Sequence, residues 1–158
     1  MSQPVLLDNT VLTNFALINR PDFIFNLWPG ACTTPAVQTE YAAGVATHQL
    51  PSDTWHVLPV VTLTPTETAF AERLHPRLGA GERTCIAVAY HQKGLFVSDD
   101  LDARRLAQAY PIPTTGTIGI LLLNIQQQRL ALSEGNELLA RLIAFGYRSP
   151  VTHLDGFV

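Results

Sequence analysis

The chain has few charged side chains, and lysine is the scarcest of them. Only 15% of its 158 residues are charged, and Lys93 is the single lysine among ten cations. With a formal net charge of −3, this scarcity argues against the basic stripe that many nucleic-acid-binding proteins carry. Hydrophobic residues make up 47% of the chain, which argues against a disordered protein and predicts a sizeable core.

Cysteine and long apolar runs are scarce as well. Cys32 and Cys85 have neither a CxxC spacing nor a histidine partner, so we predict buried, reduced thiols rather than a disulfide or a zinc site. No apolar run is long enough to cross a bilayer, and residues 1–4 lack the charged flank of a signal peptide. We expect a cytoplasmic protein without a membrane segment. Without repeats or linkers, residues 1–158 are predicted to form one domain.

Short apolar runs alternate with helical patterns along the chain. We predict five strands, at residues 5–7, 31–34, 55–63, 95–98 and 112–114. We predict seven helices, at residues 10–18, 35–44, 64–78, 82–91, 101–109, 118–128 and 133–145. Residues 48–53 are predicted to form a loop, and residues 146–158 to be extended or to reach a partner chain. This alternation predicts an α/β fold, a three-layer α/β/α sandwich with a central, mainly parallel sheet.

Carboxylates directly follow two of the predicted strands. Asp8 comes after the apolar run 5–7, and Asp99 and Asp100 come after residues 95–98. The carboxyl ends of parallel strands meet at one edge of a sheet, where the sites of open α/β folds form. We therefore expect these aspartates to lie close together.

Two glutamates lie on predicted inward faces of helices. Glu82 precedes Cys85 and Ile86 by three and four residues, and Glu40 follows Val37 by three, and such spacings place side chains on one helix face. A buried carboxylate needs a cation, hydrogen bonds or a raised pKa. Together with the aspartates these glutamates predict a divalent-metal site, and ligands that are all oxygen favour Mg²⁺ or Mn²⁺ over zinc.

Each acidic position also has a structural explanation when it is taken alone. Asp8 is suited to capping its helix, Glu82 to interacting with a helix dipole, and Asp99–Asp100 to forming a turn and a cap. Independent caps would not place two of their members on apolar faces, so the set favours a metal site. Without these five carboxylates the net charge of −3 becomes +2, mostly from nine scattered arginines. A modest phosphate-binding surface is compatible with that charge.

Five segments, in order, resemble the PIN domain family, and specifically its short prokaryotic members. They are residues 6–12 with Asp8, 35–40 with Glu40, 79–89 with Glu82, 96–107 with Asp99 and Asp100, and 115–121 with the Gly-rich helix entry. The resemblance covers nearly the whole chain. The more usual family pattern of Thr, any residue, Asp has Asp100 as its counterpart, so whether Asp99 or Asp100 binds metal is left open.

The resemblance implies a metal-dependent endoribonuclease, such as the VapC-type toxins that small antitoxins inhibit. The implied metal ligands are Asp8, Glu82 and Asp100 or Asp99, with Glu40 completing the catalytic set. Bound Mg²⁺ or Mn²⁺ would activate a water molecule for in-line attack on an RNA phosphodiester. The main alternative is a PIN-like protein that binds RNA or another protein without cleaving it.

Cations and hydroxyls near these acids are the candidates for substrate binding. Arg104 and Arg105 follow the aspartate pair, and Arg83 adjoins Glu82. Thr115 begins a glycine-containing helix entry that is suited to a phosphate, although a plain helix cap is the commoner explanation. The expected partners are RNA, a small antitoxin and a second copy of the chain in a homodimer.

Overall fold

Four parallel strands form the centre of the protein in a computed structural model that describes residues 3–47 and 49–158. Met1, Ser2 and His48, where the predicted loop 48–53 begins, lie outside the described residues. The strands are β1 (Val5–Leu7), β2 (Ala31–Cys32), β3 (Leu95–Val97) and β4 (Thr114–Thr115). Their spatial order is β2-β1-β3-β4, and β1 pairs with β3 in the register Val5 with Leu95 and Leu7 with Val97.

Eight helices flank this sheet in the described residues. They are α1 (Asn9–Leu17), α2 (Asp22–Phe25), α3 (Pro35–Ala46), α4 (Pro65–Arg73), α5 (Ala80–Gln92), α6 (Leu101–Ala109), α7 (Thr117–Gln126) and α8 (Leu132–Ala144). Helix α5 contacts α3, α4, β1 and β3, whereas α7 contacts α2, α8 and β4. The predicted α/β fold with a parallel sheet is therefore confirmed.

Strands β1 and β2 and most of β3 are buried because helices cover the sheet, as expected for parallel strands, whereas both residues of β4 are partly exposed. All three residues of β1 are buried, and Phe96 and Val97 of β3 are fully buried. In α7, Ile120 and Leu121 are also buried in the chain's own core. Both cysteines are free and buried, as predicted. None of the described helices is both long enough and apolar enough to cross a membrane.

Local signals explain where several helices begin. Thr34 caps α3 by accepting from the backbone N of Val37, and a proline occupies the first turn. At α4, Thr64 and Glu67 form the predicted capping box, in which each side chain accepts from the other residue's backbone N. Glu67 is nearly inaccessible to solvent and also accepts a hydrogen bond from Gln92 on α5. The capping box therefore also joins α4 to α5.

The predicted strand at residues 55–63 is wrong. Only Val60 makes a bridge, to Thr33, and residues 54–57 form turns. Pro59 cannot donate to a strand ladder, and Val57 and Val60 are exposed, so the apolar alternation is not one face of a sheet.

Several predicted boundaries also differ. Helix α4 ends at Arg73 rather than residue 78, because Pro76 disfavours helical conformation at the residue before it. Helix α3 passes Gly44 and ends at Ala46, and the cap of α8 is Ala131 rather than Ser133. The fourth strand is at 114–115 rather than 112–114, α7 ends at residue 126 rather than 128, and α2 was not predicted.

The segment after α8 folds back onto its own chain. Tyr147 N donates to Leu142 O at 2.9 Å. Further along, Leu154 is fully buried, and its backbone N donates to Asn136 Oδ1 of α8 at 2.7 Å. The segment ends in a short 3₁₀ turn, Asp155–Phe157. The segment therefore packs against α8 and forms no strand, and contact with a partner chain stays a prediction.

Candidate metal-binding active site

The carboxyl edge of the sheet brings the predicted aspartates together. Strand β1 ends directly before Asp8, and β3 ends before the triplet Ser98, Asp99 and Asp100. Because β1 and β3 are paired in parallel, these ends adjoin, and Asp8 N donates to Val97 O at 3.0 Å. The predicted convergence at this edge therefore follows from strand pairing.

Asp8 is held in place by donors from both strand ends. Its Oδ2 accepts from Ser98 Oγ at 2.7 Å and from Thr10 Oγ1 at 3.4 Å, and its Oδ1 accepts from Asn9 N at 2.8 Å. Burial raises its pKa to about 6, opposed by the hydrogen bonds from Ser98 and Asn9 and helped by repulsion from Glu40 and Asp100. Asp8 is thus both the cap of α1 and the centre of a group of carboxylates.

Two hydroxyls connect Asp8 to the backbone of the aspartate pair. Thr10 Oγ1 accepts from Asp99 N at 3.0 Å, and Ser98 Oγ accepts from Asp100 N at 3.1 Å. Each hydroxyl therefore donates to Asp8 and accepts from the turn after β3. The sequence-based prediction did not include Ser98 or Thr10, although their positions beside the acids were a usable signal.

Glu40 reaches the same region from α3. Its Oε1 accepts from the backbone N of Gly81 at 2.8 Å, in the first turn of α5. A side chain at position 81 would put Cβ only 2.5 Å from that oxygen, so the close approach depends on glycine. The Oε1 atoms of Glu40 and Glu82 both lie within 4 Å of the Cβ position of Gly79. The two glutamates are therefore neighbours.

Glu82 is the least satisfied carboxylate of this group. Its Oε2 is buried and has no hydrogen-bond partner among the described residues. Burial raises its pKa to about 8, with repulsion from Asp8, Asp100 and Glu40 adding to the effect. An unpaired buried oxygen on a carboxylate that other carboxylates repel is suited to a cation or a proton.

Asp99 and Asp100 are adjacent in sequence but have different surroundings. Asp100 Oδ1 caps α6 by accepting from Ala103 N at 2.9 Å, and the charge of Asp100 acts on both Asp8 and Glu82. Asp100 therefore belongs to the same group of carboxylates as Asp8, Glu40 and Glu82, which we call the acidic site.

Asp99 instead ties β3 to the start of α7. Its Oδ1 accepts from Thr117 N at 2.8 Å, and its Oδ2 accepts from Thr117 Oγ1 at 2.5 Å and Asn14 Nδ2 at 3.1 Å. Burial raises its pKa, whereas the Thr117 donors and Arg104 lower it. Both oxygens are already paired, which indicates a structural role.

Asp99 can pack closely against Gly116 because glycine has no side chain, and a substitution of Gly116 tests this explanation. A Cβ on Gly116 would lie 2.6 Å from Asp99 Oδ1 and 3.0 Å from the backbone O of Ser98. We expect Gly116→Ala to lower the unfolding free energy in urea by about 1–3 kcal/mol, the usual cost of overpacking. Gly156→Ala is the control, because nothing lies within 4 Å of its added Cβ. Equal stability of the two variants would contradict the prediction.

The raised pKa values predict how stability depends on pH in the presence of a chelator. Folding raises the pKa of Asp8 from 3.8 to about 6 and the pKa of Glu82 from 4.5 to about 8. The folded chain therefore binds protons at these two residues more tightly than the unfolded chain does. The unfolding free energy should therefore fall as the pH rises from about 4 to 8 and then level off. Asp8 accounts for about 3 kcal/mol of this fall and Glu82, after allowance for solvent screening, adds to it, so the whole fall should be roughly 3–5 kcal/mol.

Denaturation in EDTA at a series of pH values measures this fall. Glu82→Gln should remove most of the dependence above pH 6, since the pKa of Asp8 is about 6. Glu72→Gln, at an exposed position of α4, should keep it. A stability that increases between pH 5 and 8 would contradict the prediction.

The donor atoms of the acidic site are of the type that binds a hard divalent cation. Its donors are carboxylate oxygens, and Glu82 Oε2 and the neighbouring amide oxygen Asn9 Oδ1 are buried without hydrogen-bond partners among the described residues. Across residues 3–47 and 49–158, however, no three His, Cys, Asp or Glu side chains are grouped closely enough to hold a metal ion. The metal ligands therefore stay a prediction.

The candidate substrate-binding residues lie in three different places. Arg104 lines a cavity beside Asp99, together with Thr115. Arg105 points elsewhere and forms an exposed 3.9 Å pair with Asp102. Arg83 lines a separate groove between α3, α4 and α5, and its buried Nε has no partner among the described residues. Only Arg104 and Thr115 are brought together.

A comparison with protein families agrees with the fold. A model of the PIN domain family matches residues 4–157. No curated protein and no solved structure matches the chain. The PIN domain is a nuclease-type fold, and the parallel four-stranded sheet with its flanking helices is consistent with it. Since the match spans nearly all of the sequence, the chain belongs to the PIN domain family.

Proposed function

We propose that the protein is a metal-dependent endoribonuclease that hydrolyses RNA phosphodiester bonds at the acidic site. Asp8, Glu82 and Asp100 would hold Mg²⁺ or Mn²⁺, with Glu40 beside them. The observation that carries this proposal is the buried, unpartnered Oε2 of Glu82, whose carboxylate is repelled by Asp8, Asp100 and Glu40. Four acids kept together at an energetic cost are explained by a cation that neutralises them.

The surrounding residues keep the carboxylates in position. Ser98 and Thr10 fix Asp8 Oδ2, and the first turn of α5 fixes Glu40 through Gly81 N. Thr34 Oγ1 and Thr84 Oγ1 lie 2.8 Å apart and join the helices that carry Glu40 and Glu82. A divalent cation bound there supplies a water of lowered pKa and neutralises charge that develops on the phosphate.

Cleavage of single-stranded RNA in Mn²⁺ or Mg²⁺ tests the proposal. Wild-type protein should cleave, EDTA should stop the cleavage, and Glu82→Gln should remove it. Glu72→Gln carries the same chemical change at an exposed site on α4 and should cleave normally. Equal products from wild type and Glu82→Gln would indicate a contaminating nuclease and contradict the proposal.

A non-catalytic PIN-like RNA- or protein-binding module is the second candidate. It is favoured by the absence, within the described residues, of a closed group of metal ligands. Saturable RNA binding without cleavage in either metal, together with an unchanged melting temperature when Mn²⁺ is added, would favour this function. A bound metal would instead raise the melting temperature through mass action.

A toxin role, with a small antitoxin that blocks the acidic site, is a finer form of the nuclease proposal. The order of the acids, which is similar to that of VapC-type proteins, supports it. Expression of the wild type should then arrest bacterial growth, and expression of Glu82→Gln should not. The proposed homodimer is tested separately by the mass of the purified protein in solution.

A further inference from the structure

Two cavities beside the acidic site share three lining residues. One, of about 470 Å³, is lined by Asn9, Asp100 and Asn14 among others, and the second, of about 540 Å³, by Arg104 and Phe157 among others. Asp99, Tyr147 and Arg148 line both. We call the joined cavities the C-terminal groove. It extends from the acidic site to the segment after α8, and each of its parts has the size of a ligand pocket.

The groove is lined by two arginines, Arg104 and Arg148, that form no ion pair with an acid among the described residues. The two ion pairs of residues 3–47 and 49–158 are Arg20 with Asp22 and Arg105 with Asp102. Arg104 and Arg148 are in neither pair. Asp99 lines the groove with them and interacts electrostatically with Arg104, but both of its oxygens accept hydrogen bonds from Thr117 and Asn14. The two guanidinium groups therefore retain capacity for an external anion.

Exposed apolar side chains flank these cations. Phe145 lines the first cavity and is 54% exposed, and Phe157 and Leu101 line the second at 51% and 62%. A groove that combines cations with exposed aromatic rings matches a single nucleic-acid strand, whose phosphates contact arginine and whose bases stack on rings. A duplex keeps its bases stacked inside and gains nothing from such rings.

Arg148 is presented by a segment that is fixed rather than free. Tyr147 N is bonded to the end of α8, and the buried Leu154 holds the segment further along. Between them, Ser149 Oγ donates to Val151 O at 2.5 Å. The chain therefore does not have to order this segment when a ligand binds, which lowers the entropic cost of binding.

We propose that the C-terminal groove binds single-stranded RNA next to the acidic site, with Arg148 and Arg104 on phosphates and Phe157 against a base. The inference rests on the proposed ribonuclease function for its ligand class. It assigns substrate binding to the segment 145–157, which the sequence pattern did not associate with the site.

Binding of a fluorescein-labelled single-stranded oligoribonucleotide, measured by anisotropy in EDTA, tests this without requiring cleavage. Arg148→Gln should weaken binding about fivefold at low salt. It should also make the slope of log K against log[salt] shallower by about 0.7, the value for one neutralised phosphate on a single strand. Arg141→Gln is the matched control, because Arg141 is exposed on α8 and outside the groove. It should change neither quantity.

A second variant separates stacking from charge. Phe157→Ala should weaken binding severalfold without changing the salt slope, since base stacking involves no counterion release. Arg148→Lys should keep the slope. Equal effects of Arg148→Gln and Arg141→Gln, no saturable binding by the wild type, or tighter binding of duplex RNA would each overturn the proposal.

Two further outcomes distinguish this inference from the proposed function. Binding that depends on Arg148 with no cleavage in any metal would keep the groove and overturn the nuclease. Cleavage by a protein whose RNA affinity is unaffected at Arg148 would keep the nuclease and overturn the groove. Equally tight binding of polyglutamate, abolished in Arg148→Gln, would assign the groove to an acidic polypeptide and overturn the RNA proposal.

Discussion

Asp8→Asn is expected to lower metal-dependent RNA cleavage roughly 10²- to 10³-fold while leaving the fold intact. Asp8 is only 1% exposed and lies where β1 and β3 meet, facing Glu40 and Asp100. Asparagine removes the negative charge that would hold a cation. It retains an oxygen that can cap α1 by accepting from Asn9 N.

The stability of Asp8→Asn separates the loss of a metal site from damage to the whole protein. The new amide cannot accept from Ser98 Oγ as Oδ2 does, but the substitution also removes repulsion within the acidic site. We expect the unfolding free energy in EDTA to change by no more than about 1 kcal/mol. Asp53→Asn, at an exposed position, is the matched control and should cleave like the wild type. Full cleavage by Asp8→Asn would place the chemistry elsewhere.

Asp100→Asn is expected to lose activity and Asp99→Asn to lose stability, although the two residues are adjacent. Asp100 faces Asp8 and Glu82, and its cap on α6 can be made equally well by asparagine. Its substitution should therefore reduce cleavage at least about 100-fold with little change in stability.

Asp99→Asn should instead destabilise the protein. Thr117 and Asn14 donate hydrogen bonds to both oxygens of Asp99. An amide nitrogen in place of one oxygen is itself a donor, so it would face a buried donor and leave that donor without an acceptor. We expect the unfolding free energy to fall by about 1–3 kcal/mol. Cleavage per folded molecule should stay within a few-fold of the wild type.

Urea unfolding measures the stability of both variants, and RNA cleavage is compared at equal concentrations of folded protein. The reverse pattern, in which Asp99→Asn is stable but inactive and Asp100→Asn is active, would make Asp99 the metal ligand. The sequence pattern left this choice open. Which of the two aspartates can bind metal depends on the direction in which each side chain points from the turn after β3.

Residues that act through local contacts were predicted well from the sequence. The strand before Asp8, the capping box of Thr64 and Glu67 and the helix start near Glu82 were all correct to within a few positions. Each depends on neighbours a few residues away, whose preferences are readable from residue type. The fold class followed from the alternation of these elements.

The errors arose where a local pattern competes with distant contacts. Residues 55–63 have the composition of a strand, but Pro59 interrupts the ladder and no neighbouring strand of the described residues pairs with them beyond the bridge at Val60. The segment after α8 shows no periodicity, because its position depends on single contacts such as Leu154 with Asn136. Such contacts leave no repeating signal in the sequence.

Residue type and order along the chain were enough to identify the parallel α/β fold and the acids at the carboxyl edge of its sheet. Folding in three dimensions separates Asp99, whose oxygens are satisfied by Thr117 and Asn14, from Asp100, which faces the acidic site. It also places Arg148 and Arg104 around one groove, although 44 positions separate them in the sequence. Hydrogen-bond satisfaction and distant packing depend on where whole elements lie, and spacing along the chain does not encode that position.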